Sequence, residues 1–267
     1  MLTSTWIQIF PDGAALSRFA ADWFVQTTRE AVAARGRCLV SLSGGGTPLA
    51  LYRLLAQVSL PWERLLCFWG DERCVPPADP ESCYHQAHTA WLGQVPIPAG
   101  NIFRIKGELG PEAAAADYAR QLTSVSPSVF SVSESVAPSV APSVAPWPRF
   151  DLALLGLGAD GHTASLFPGS PETRGLATVA VTANYQDRPA QRVSLTPEVF
   201  NSARNVVFLV TGAEKAQALA TTLTGARDLV KFPAQRIRPT DGKIGWLVDA
   251  AAASLLPEKI EGVTIQR

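Results

Sequence analysis

The chain has 267 residues, and its hydrophobic content of 47% is enough to fill the core of one large α/β domain or two small ones. Lys plus Arg and Asp plus Glu each total 23, so there is no net charge to attract nucleic acid or an anionic membrane over a distance. The N-terminus lacks a basic start, and no run approaches the ~20 apolar residues that span a bilayer, so we expect a cytoplasmic protein without nucleic-acid or membrane partners.

Short β-rich runs alternate with helical patterns along most of the chain. The predicted strands and the helices that follow them are, in chain order, 6–10 and about 14–34; CLVSLS and TPLALYRLLA; LLCFWGD and PESCYHQAHTAWLG; FDLALLGLG; NVVFLVTG and AEKAQALATTL; and 243–248 and 249–256. This rhythm predicts an α/β fold, a single Rossmann-like domain over 1–267 with a doubly wound, mostly parallel sheet and helices on both faces.

The region 124–148 interrupts this rhythm. It reads SVSPSVFSVSESVAPSVAPSVAPWP, repeats an APSV unit and carries one charged residue, Glu134. Proline recurs too often for a helix or a central strand, so we expect an extended, mobile surface insertion within the domain. A docking segment for a partner is the less favoured alternative.

The first loop that carries chemistry lies in SLSGGGTPLALYRLL, where a strand runs into Ser43, Gly44, Gly45, Gly46 and Thr47 before a helix opens with proline. Glycines let a ligand approach the backbone, and a helix N-terminus offers unpaired N–H donors and partial positive charge. The pattern favours a phosphate site, although a tight turn with a good N-cap is the alternative. It is neither a Walker A loop nor the dinucleotide fingerprint.

The second loop lies in CFWGDERCVPP. A predicted strand ends at Trp69 and delivers Asp71, Glu72 and Arg73 into a loop stiffened by two prolines. Arginine can clamp a phosphate or carboxylate through two parallel hydrogen bonds. A local ion-pair cluster on the surface is the alternative interpretation.

The third loop, GADGHTASLFPGS, follows the apolar run 150–157, which predicts a fully buried parallel strand. Open α/β sheets bind ligands at the carboxyl edge where such a strand ends. Asp160 could orient the imidazole of His162, which could then take a proton from water. A structural histidine is the alternative, and His85 and His88, on a helical pattern, are interpreted as structural.

The four cysteines, Cys38, Cys67, Cys74 and Cys83, lack the short CxxC pairs of zinc or redox sites. We expect reduced, mostly structural thiols. The sequence therefore predicts neither a metal site nor a cofactor.

Three segments, SLSGGGTPLALY, WGDER and LLGLGADGHTASLFPGS, resemble the signature loops of the 6-phosphogluconolactonases, within the wider family that includes glucosamine-6-phosphate deaminases. The segments RVSLTPEVFNSA and VTGAEKAQAL match the same pattern, so the resemblance spans nearly the whole chain except the insertion. It implies a Rossmann-like domain that hydrolyses 6-phospho-glucono-1,5-lactone to 6-phosphogluconate in the oxidative pentose phosphate pathway, as a monomer or small homo-oligomer.

The resemblance also implies roles for individual residues. His162 would be the base that activates water, with Asp160 beside it, while Arg73 contacts the substrate and Asp71 lines the pocket. The phosphate would rest on residues from the glycine loop and two cations: Ser43, Gly44, Gly45, Thr47, Arg192 and Lys215. The alternative role for Lys215 is that of an ordinary lysine on an exposed helix. The alternative role for Arg192 is that of a charge on an edge strand.

Two other functions are weighed. Deaminases carry a glutamate after the histidine that assists ring opening, whereas this chain has Phe167, whose ring cannot carry protons. A non-catalytic sugar-phosphate sensor would have no need of His162 and Asp160.

A serine nucleophile is disfavoured because Ser165 lies outside any GxSxG elbow. Either backbone N–H groups near the glycine loops or Arg73 would stabilise the oxyanion.

Overall fold

The computed structural model describes residues 5–126, 147–183, 185 and 188–266. Within these ranges the helices are α1 (Gly13–Arg35), α2 (Gly46–Leu55), α3 (Cys83–Ala90), α4 (Pro111–Ser124), α5 (Pro197–Asn201) and α6 (Ala216–Thr224). The strands are β1 (Thr5–Phe10), β2 (Cys38–Leu42), β3 (Leu65–Trp69), β4 (Asp71–Arg73), β5 (Ile102–Phe103), β6 (Leu152–Leu155), β7 (Thr178–Thr182), β8 (Gln191–Leu195), β9 (Asn205–Val210), β10 (Lys243–Asp249) and β11 (Val263–Gln266). Short 3₁₀ turns lie between several of them.

Eight of the strands form one parallel sheet in the order β11-β1-β10-β9-β6-β2-β3-β5. The residues of β2 and β6 are all buried, as expected for inner parallel strands covered on both faces. Helices pack around this sheet, and the predicted α/β fold with a mostly parallel, doubly wound sheet is confirmed.

A second, antiparallel sheet of three strands, β4-β8-β7, was not predicted. The segment Asp71–Arg73, expected in a loop, forms β4, so that expectation is wrong. Its backbone pairs with β8, far along the chain, and places Arg73 opposite Arg192. Three residues are too few to show a strand period in sequence, so only this long-range pairing reveals the strand.

The C-terminal part of the large sheet also differs from expectation. The predicted strand at 243–248 is β10, but the helix expected at 249–256 is only a 3₁₀ turn at Ala252–Leu255. The carboxylate of Asp249 accepts a hydrogen bond from Ala252 N at 2.8 Å and a bifurcated one from Gly212 N, which lies 3.1 Å from each carboxylate oxygen. The edge strand β11 then pairs with β1 and was not predicted.

The first and last residues of the predicted insertion, 124 and 148, are among the described residues. Helix α4 ends at Ser124, and the described chain resumes at Trp147, which packs against the core. The repeat itself, 127–146, lies outside the described residues. None of the helices in the described ranges combines the length and the apolar character needed to cross a membrane.

The four cysteines are unpaired thiols, as expected. Burial is the main cause that raises the pKa of Cys38 to about 12 and that of Cys74 to about 11. Thiols with such pKa values stay protonated at neutral pH and are poor nucleophiles, in agreement with a structural role.

Candidate active site

A cleft of about 460 Å³ opens at the carboxyl ends of the parallel strands β2, β6 and β9. The carboxyl ends of the parallel strands form the edge at which open α/β sheets bind ligands. The cleft brings together all of the predicted site residues except Asp160: Ser43, Gly44, Gly45, Thr47, Asp71, Arg73, His162, Arg192 and Lys215. Tertiary folding thus gathers side chains from all three predicted loops and both supporting segments.

The glycine loop connects β2 to α2 and needs two of its glycines for different reasons. A Cβ on Gly44 would lie 2.5 Å from Cys83 Sγ, so no larger residue fits there. Gly45 has φ 102° and ψ 172°, a conformation that is essentially restricted to glycine. The loop is held from behind by Tyr52, whose hydroxyl donates to Ser43 O at 2.7 Å and accepts from Ser43 N at 3.1 Å. The first residues of α2, Gly46 to Pro48, therefore line the cleft beside a loop that Tyr52 holds in place.

A second segment, just after β9, contacts the end of the glycine loop. Thr47 Oγ1 lies 2.7 Å from Thr211 Oγ1, so the start of α2 is hydrogen-bonded to the chain just after β9. Lys215 follows at the start of α6, is half-buried and lines the cleft. No acid within the described chain forms an ion pair with its ammonium group. A lysine beside a helix N-terminus is an arrangement whose charge and donors suit an anion such as phosphate.

Glu72 has a structural role. The residue is only 2% exposed, and its carboxylate accepts hydrogen bonds of 2.7 to 2.8 Å from Ser82 Oγ and from the backbone N–H groups of Arg73, Cys83 and Tyr84. The last two groups belong to the first turn of α3. Glu72 therefore caps α3 and joins it to β4.

The residues on either side of Glu72 line the cleft. Asp71 Oδ2 accepts a hydrogen bond of 2.7 Å from the buried Ser165 Oγ. Arg73 donates from Nη1 to the backbone carbonyl of Glu81, and Nη1 lies 3.9 Å from the Glu81 carboxylate. Arg73 is buried, so this contact differs from the surface ion-pair cluster that was the alternative interpretation. Arg73 Nε is buried and has no hydrogen-bond partner in the described chain. The guanidinium is held by Glu81 while it lines the cleft.

His162 is held in one orientation by the residues around it. Its Nδ1 lies 2.6 Å from Asp160 Oδ1, which also accepts from His162 N at 3.1 Å. Although burial acts to raise the pKa of the Asp160 carboxyl, its interactions with His162 outweigh this and lower it. A Cβ on Gly158 would lie 2.0 Å from Nδ1, so glycine is required beneath the ring. The ionised carboxylate accepts from Nδ1–H, which leaves Nε2 to receive a proton from water.

Two aromatic rings enclose the imidazole. The Phe167 ring lies 4.5 Å from it, and the Tyr185 ring lies 4.7 Å away in an edge-on contact. Sequence reasoning assigned no site role to Tyr185 or to the other lining residues Arg188, Thr211, Glu214 and Cys83. Thr211 and Glu214 lie in the matching segment VTGAEKAQAL, so that segment could have pointed to them, whereas Tyr185, Arg188 and Cys83 lie outside the five segments that carried the resemblance.

Arg192 is on β8, the central strand of the three-stranded sheet, so its interpretation as an edge-strand charge is wrong. Its guanidinium carbon lies 5.4 Å from the centroid of the Phe167 ring, and its Nε donates to Pro189 O at 3.0 Å. The predicted cation therefore lies in the cleft beside the aromatic residue that also contacts His162.

In the ranges that the structure describes, no group of three or more His, Cys, Asp and Glu side chains could hold a metal ion. The arrangement can instead hold an anionic substrate while a histidine takes a proton from water. The site contains a glycine loop at a helix N-terminus, an acid–histidine pair and three arginines, Arg73, Arg188 and Arg192.

Comparisons with known proteins agree with this description. Residues 11–246 match the family described as glucosamine-6-phosphate isomerases/6-phosphogluconolactonase. A 6-phosphogluconolactonase of Nostoc sp. is 36% identical over 251 residues, which cover 94% of this chain and 98% of the relative; one of Synechocystis sp. is 40% identical over 233 residues, covering 86% and 90%. The solved 6-phosphogluconolactonase of Trypanosoma brucei superposes with a TM-score of 0.81 at 29% identity, covering 96% of this chain and 100% of that one.

Proposed function

The chain belongs to the family of glucosamine-6-phosphate isomerases and 6-phosphogluconolactonases, and we propose that it hydrolyses 6-phospho-D-glucono-1,5-lactone to 6-phosphogluconate, a step of the oxidative pentose phosphate pathway. It is a lactone hydrolase, like the relatives that match almost its whole length. The observation that carries the mechanism is the 2.6 Å contact between Asp160 and His162 in the cleft that also holds the glycine loop.

Hydrolysis begins with attack of water on the lactone carbonyl carbon. His162 Nε2 takes the proton from that water while the carbonyl oxygen becomes an oxyanion. Collapse of this intermediate breaks the bond between the carbonyl carbon and the ring oxygen, and the proton on His162 passes to that oxygen. Asp160 keeps Nδ1–H as the donor, so the basic nitrogen faces the substrate.

The phosphate group orients the substrate. We assign it to the backbone N–H groups around Gly44 and Gly45, to the hydroxyls of Ser43 and Thr47, and to Lys215. Because this group is remote from the reacting carbon, its binding free energy can be used to align the carbonyl with His162. This explains why an anion-binding loop and a histidine occur in one cleft.

The two alternatives have less support. Deamination or isomerisation would need a proton-carrying side chain where Phe167 lies, and this ring packs against the imidazole. A sugar-phosphate sensor would gain nothing from the hydrogen bond between Asp160 and His162.

We also infer one domain over 1–267, with the 124–148 insertion on its surface, that acts in the cytoplasm as a monomer or small homo-oligomer. The balanced charge supports a small-molecule substrate and no nucleic-acid partner. Light scattering on the purified chain would measure the oligomeric state.

The proposal is tested by following proton release in weak buffer after freshly generated 6-phosphogluconolactone is added, with spontaneous hydrolysis subtracted. We expect wild-type protein to accelerate release and His162→Ala to lower kcat by about 10²–10⁴, the usual contribution of a positioned base. His85→Gln, a histidine on α3 outside the described lining of the cleft, is the matched control and should keep its activity.

A loss of less than a few-fold in His162→Ala would show that His162 is not the base. Wild-type protein without acceleration would reject the lactonase function, and ammonia release from glucosamine 6-phosphate would then be measured.

A further inference from the structure

The polar groups of the cleft form two sets according to their contacts. One set comprises the glycine loop and Lys215, which the hydrogen bond between Thr47 and Thr211 brings together at the starts of α2 and α6. The other set surrounds His162 and includes Arg192, because both side chains contact the ring of Phe167. Arg192 therefore contacts the same aromatic ring as the base, in the cleft that the glycine loop also lines.

Phe167 serves as a platform for both groups. It is 7% exposed, its centroid is 4.5 Å from that of the imidazole, and the guanidinium carbon of Arg192 lies 5.4 Å from the same centroid. A guanidinium over an aromatic face is attracted by the negative charge of that face, so the ring fixes the cation near the imidazole. An oxygen bound by Arg192 would consequently lie near the carbon that is attacked by the water that His162 activates.

Arg192 also retains an unused donor. The residue is 3% exposed; its Nε donates to Pro189 O, but its buried Nη2 has no hydrogen-bond partner within the described chain. Desolvation is the main cause that lowers the pKa of this guanidinium, and its strand neighbour Arg73 carries the same charge. A buried cation with an unsatisfied N–H beside a second cation is costly unless an oxygen of a ligand completes it.

We propose that Arg192 donates from Nη2 to the carbonyl oxygen of the lactone and stabilises the oxyanion that forms when water adds. This inference rests on the proposed lactonase function and reassigns Arg192 from the phosphate to the reacting end of the substrate. As water adds, the carbonyl electron pair moves onto the oxygen held by Arg192. When the ring bond breaks, that oxygen becomes part of the product carboxylate. Phe167 is a positioning residue that acts through Arg192 and His162.

The experiment compares Arg192→Gln and Arg192→Lys with wild-type protein and with Arg174→Gln. Arg174 is 85% exposed, pairs with Glu172 and is not among the described lining residues, so its variant controls for loss of an arginine. For each protein, kcat and KM for 6-phosphogluconolactone are measured together with the constant for competitive inhibition by inorganic phosphate. Circular dichroism and urea unfolding report whether each variant is folded. If Arg192→Gln is unfolded, Arg192→Lys takes its place in the kinetic comparison.

We expect Arg192→Gln to lower kcat by about 10²–10³, the usual cost of losing one oxyanion donor, with the phosphate inhibition constant unchanged. Arg192→Lys, which keeps the charge without the fork of donors, should fall between that variant and wild type. A kcat within about threefold of wild type, or a phosphate inhibition constant raised about tenfold, would overturn the assignment.

Failure of the proposed function would be visible separately, as an inactive wild-type protein. Calorimetric titration with inorganic phosphate and with 6-phosphogluconate would then still test the position of Arg192. Weaker binding of 6-phosphogluconate alone in Arg192→Gln supports a contact with the carboxylate end, whereas equal weakening of both ligands contradicts it.

Discussion

The imidazole of His162 is fixed from three directions. Asp160 holds Nδ1, while the rings of Phe167 and Tyr185 contact the imidazole, and Gly158 leaves room beneath it. Each contact restricts rotation of the ring, so Nε2 is presented to the cleft without further ordering when substrate binds. This preorganisation is what a general base needs at the residue scale.

Asp160→Asn tests how the tautomer of His162 is controlled. An asparagine amide can donate to Nδ1, which would move the imidazole proton to Nε2 and remove the base, so we expect kcat to fall by at least about 10² with little change in KM. Steady-state kinetics of the variant check this. The control is Asp241→Asn, an exposed acid that pairs with Arg149 outside the described lining of the cleft. An active Asp160→Asn protein would mean that Asp160 does not set the tautomer.

The free energy of unfolding of Asp160→Asn should also depend on pH differently from that of wild type. Because the pKa of Asp160 is lowered in the folded chain, its ionised form stabilises the fold above the unfolded value near 3.8, and this contribution is lost as the pH falls through the lower folded value. The difference in unfolding free energy between wild type and Asp160→Asn should therefore shrink below about pH 4. Urea unfolding at several pH values measures it, and a difference that grows in acid would contradict the assignment.

At the scale of the element, the glycine loop combines one steric and one conformational requirement. Gly44 packs against Cys83 on α3, while Gly45 adopts a backbone conformation with φ 102° at the start of α2. The loop thus packs against α3 and places the first residues of α2 along the cleft. A sequence of three glycines does not say which of them is required, and the structure assigns the requirement to the first two.

Gly45→Ala and Gly46→Ala form a matched pair. We expect Gly45→Ala to lower the free energy of unfolding by about 1–3 kcal/mol and to raise KM, because alanine is strained at this φ and ψ. Gly46 is the first residue of α2, and no atom lies within 4 Å of the position that a Cβ would take there, so Gly46→Ala should stay within about 0.5 kcal/mol of wild type. Urea unfolding and lactone kinetics measure both; equal effects would show that the conformation of Gly45 is not required.

Strand β4 shows how one short element can serve two purposes. Alternation along Asp71–Arg73 turns its outer two residues to the cleft, while Glu72 points the other way and caps α3. Three consecutive charged residues at the end of a buried strand are therefore divided between the site and the scaffold.

At the scale of the whole molecule, the cleft lies between two sheets. The parallel sheet delivers the glycine loop, His162 and Lys215 at its carboxyl edge, and the three-stranded sheet delivers Arg73 and Arg192 as a register pair. Bringing both sheets together aligns the anion-binding groups with the base. The active site consequently depends on long-range packing as much as on any single loop.

Replacement of 127–146 with a Gly/Ser segment of equal length tests the insertion at this scale. We expect kcat and KM to stay within about twofold of wild type, because the segment's composition supplies no core and the site is built from other parts of the chain. Lactone kinetics and urea unfolding check this. A large loss of activity or stability would show that the repeat belongs to the folded domain.

The sequence by itself determined the α/β class, the order of most helices and strands, and the loops that hold the candidate chemistry. Hydrophobic periodicity, glycines and helix starts are local properties, so a strand such as β6 and a loop such as 43–47 can be inferred from neighbouring residues alone. The pairing of β4 with β8, the contact of Thr47 with Thr211 and the shared platform at Phe167 join residues that are distant along the chain. Only tertiary structure could decide them, because packing of separate elements leaves no periodic signal in any one segment.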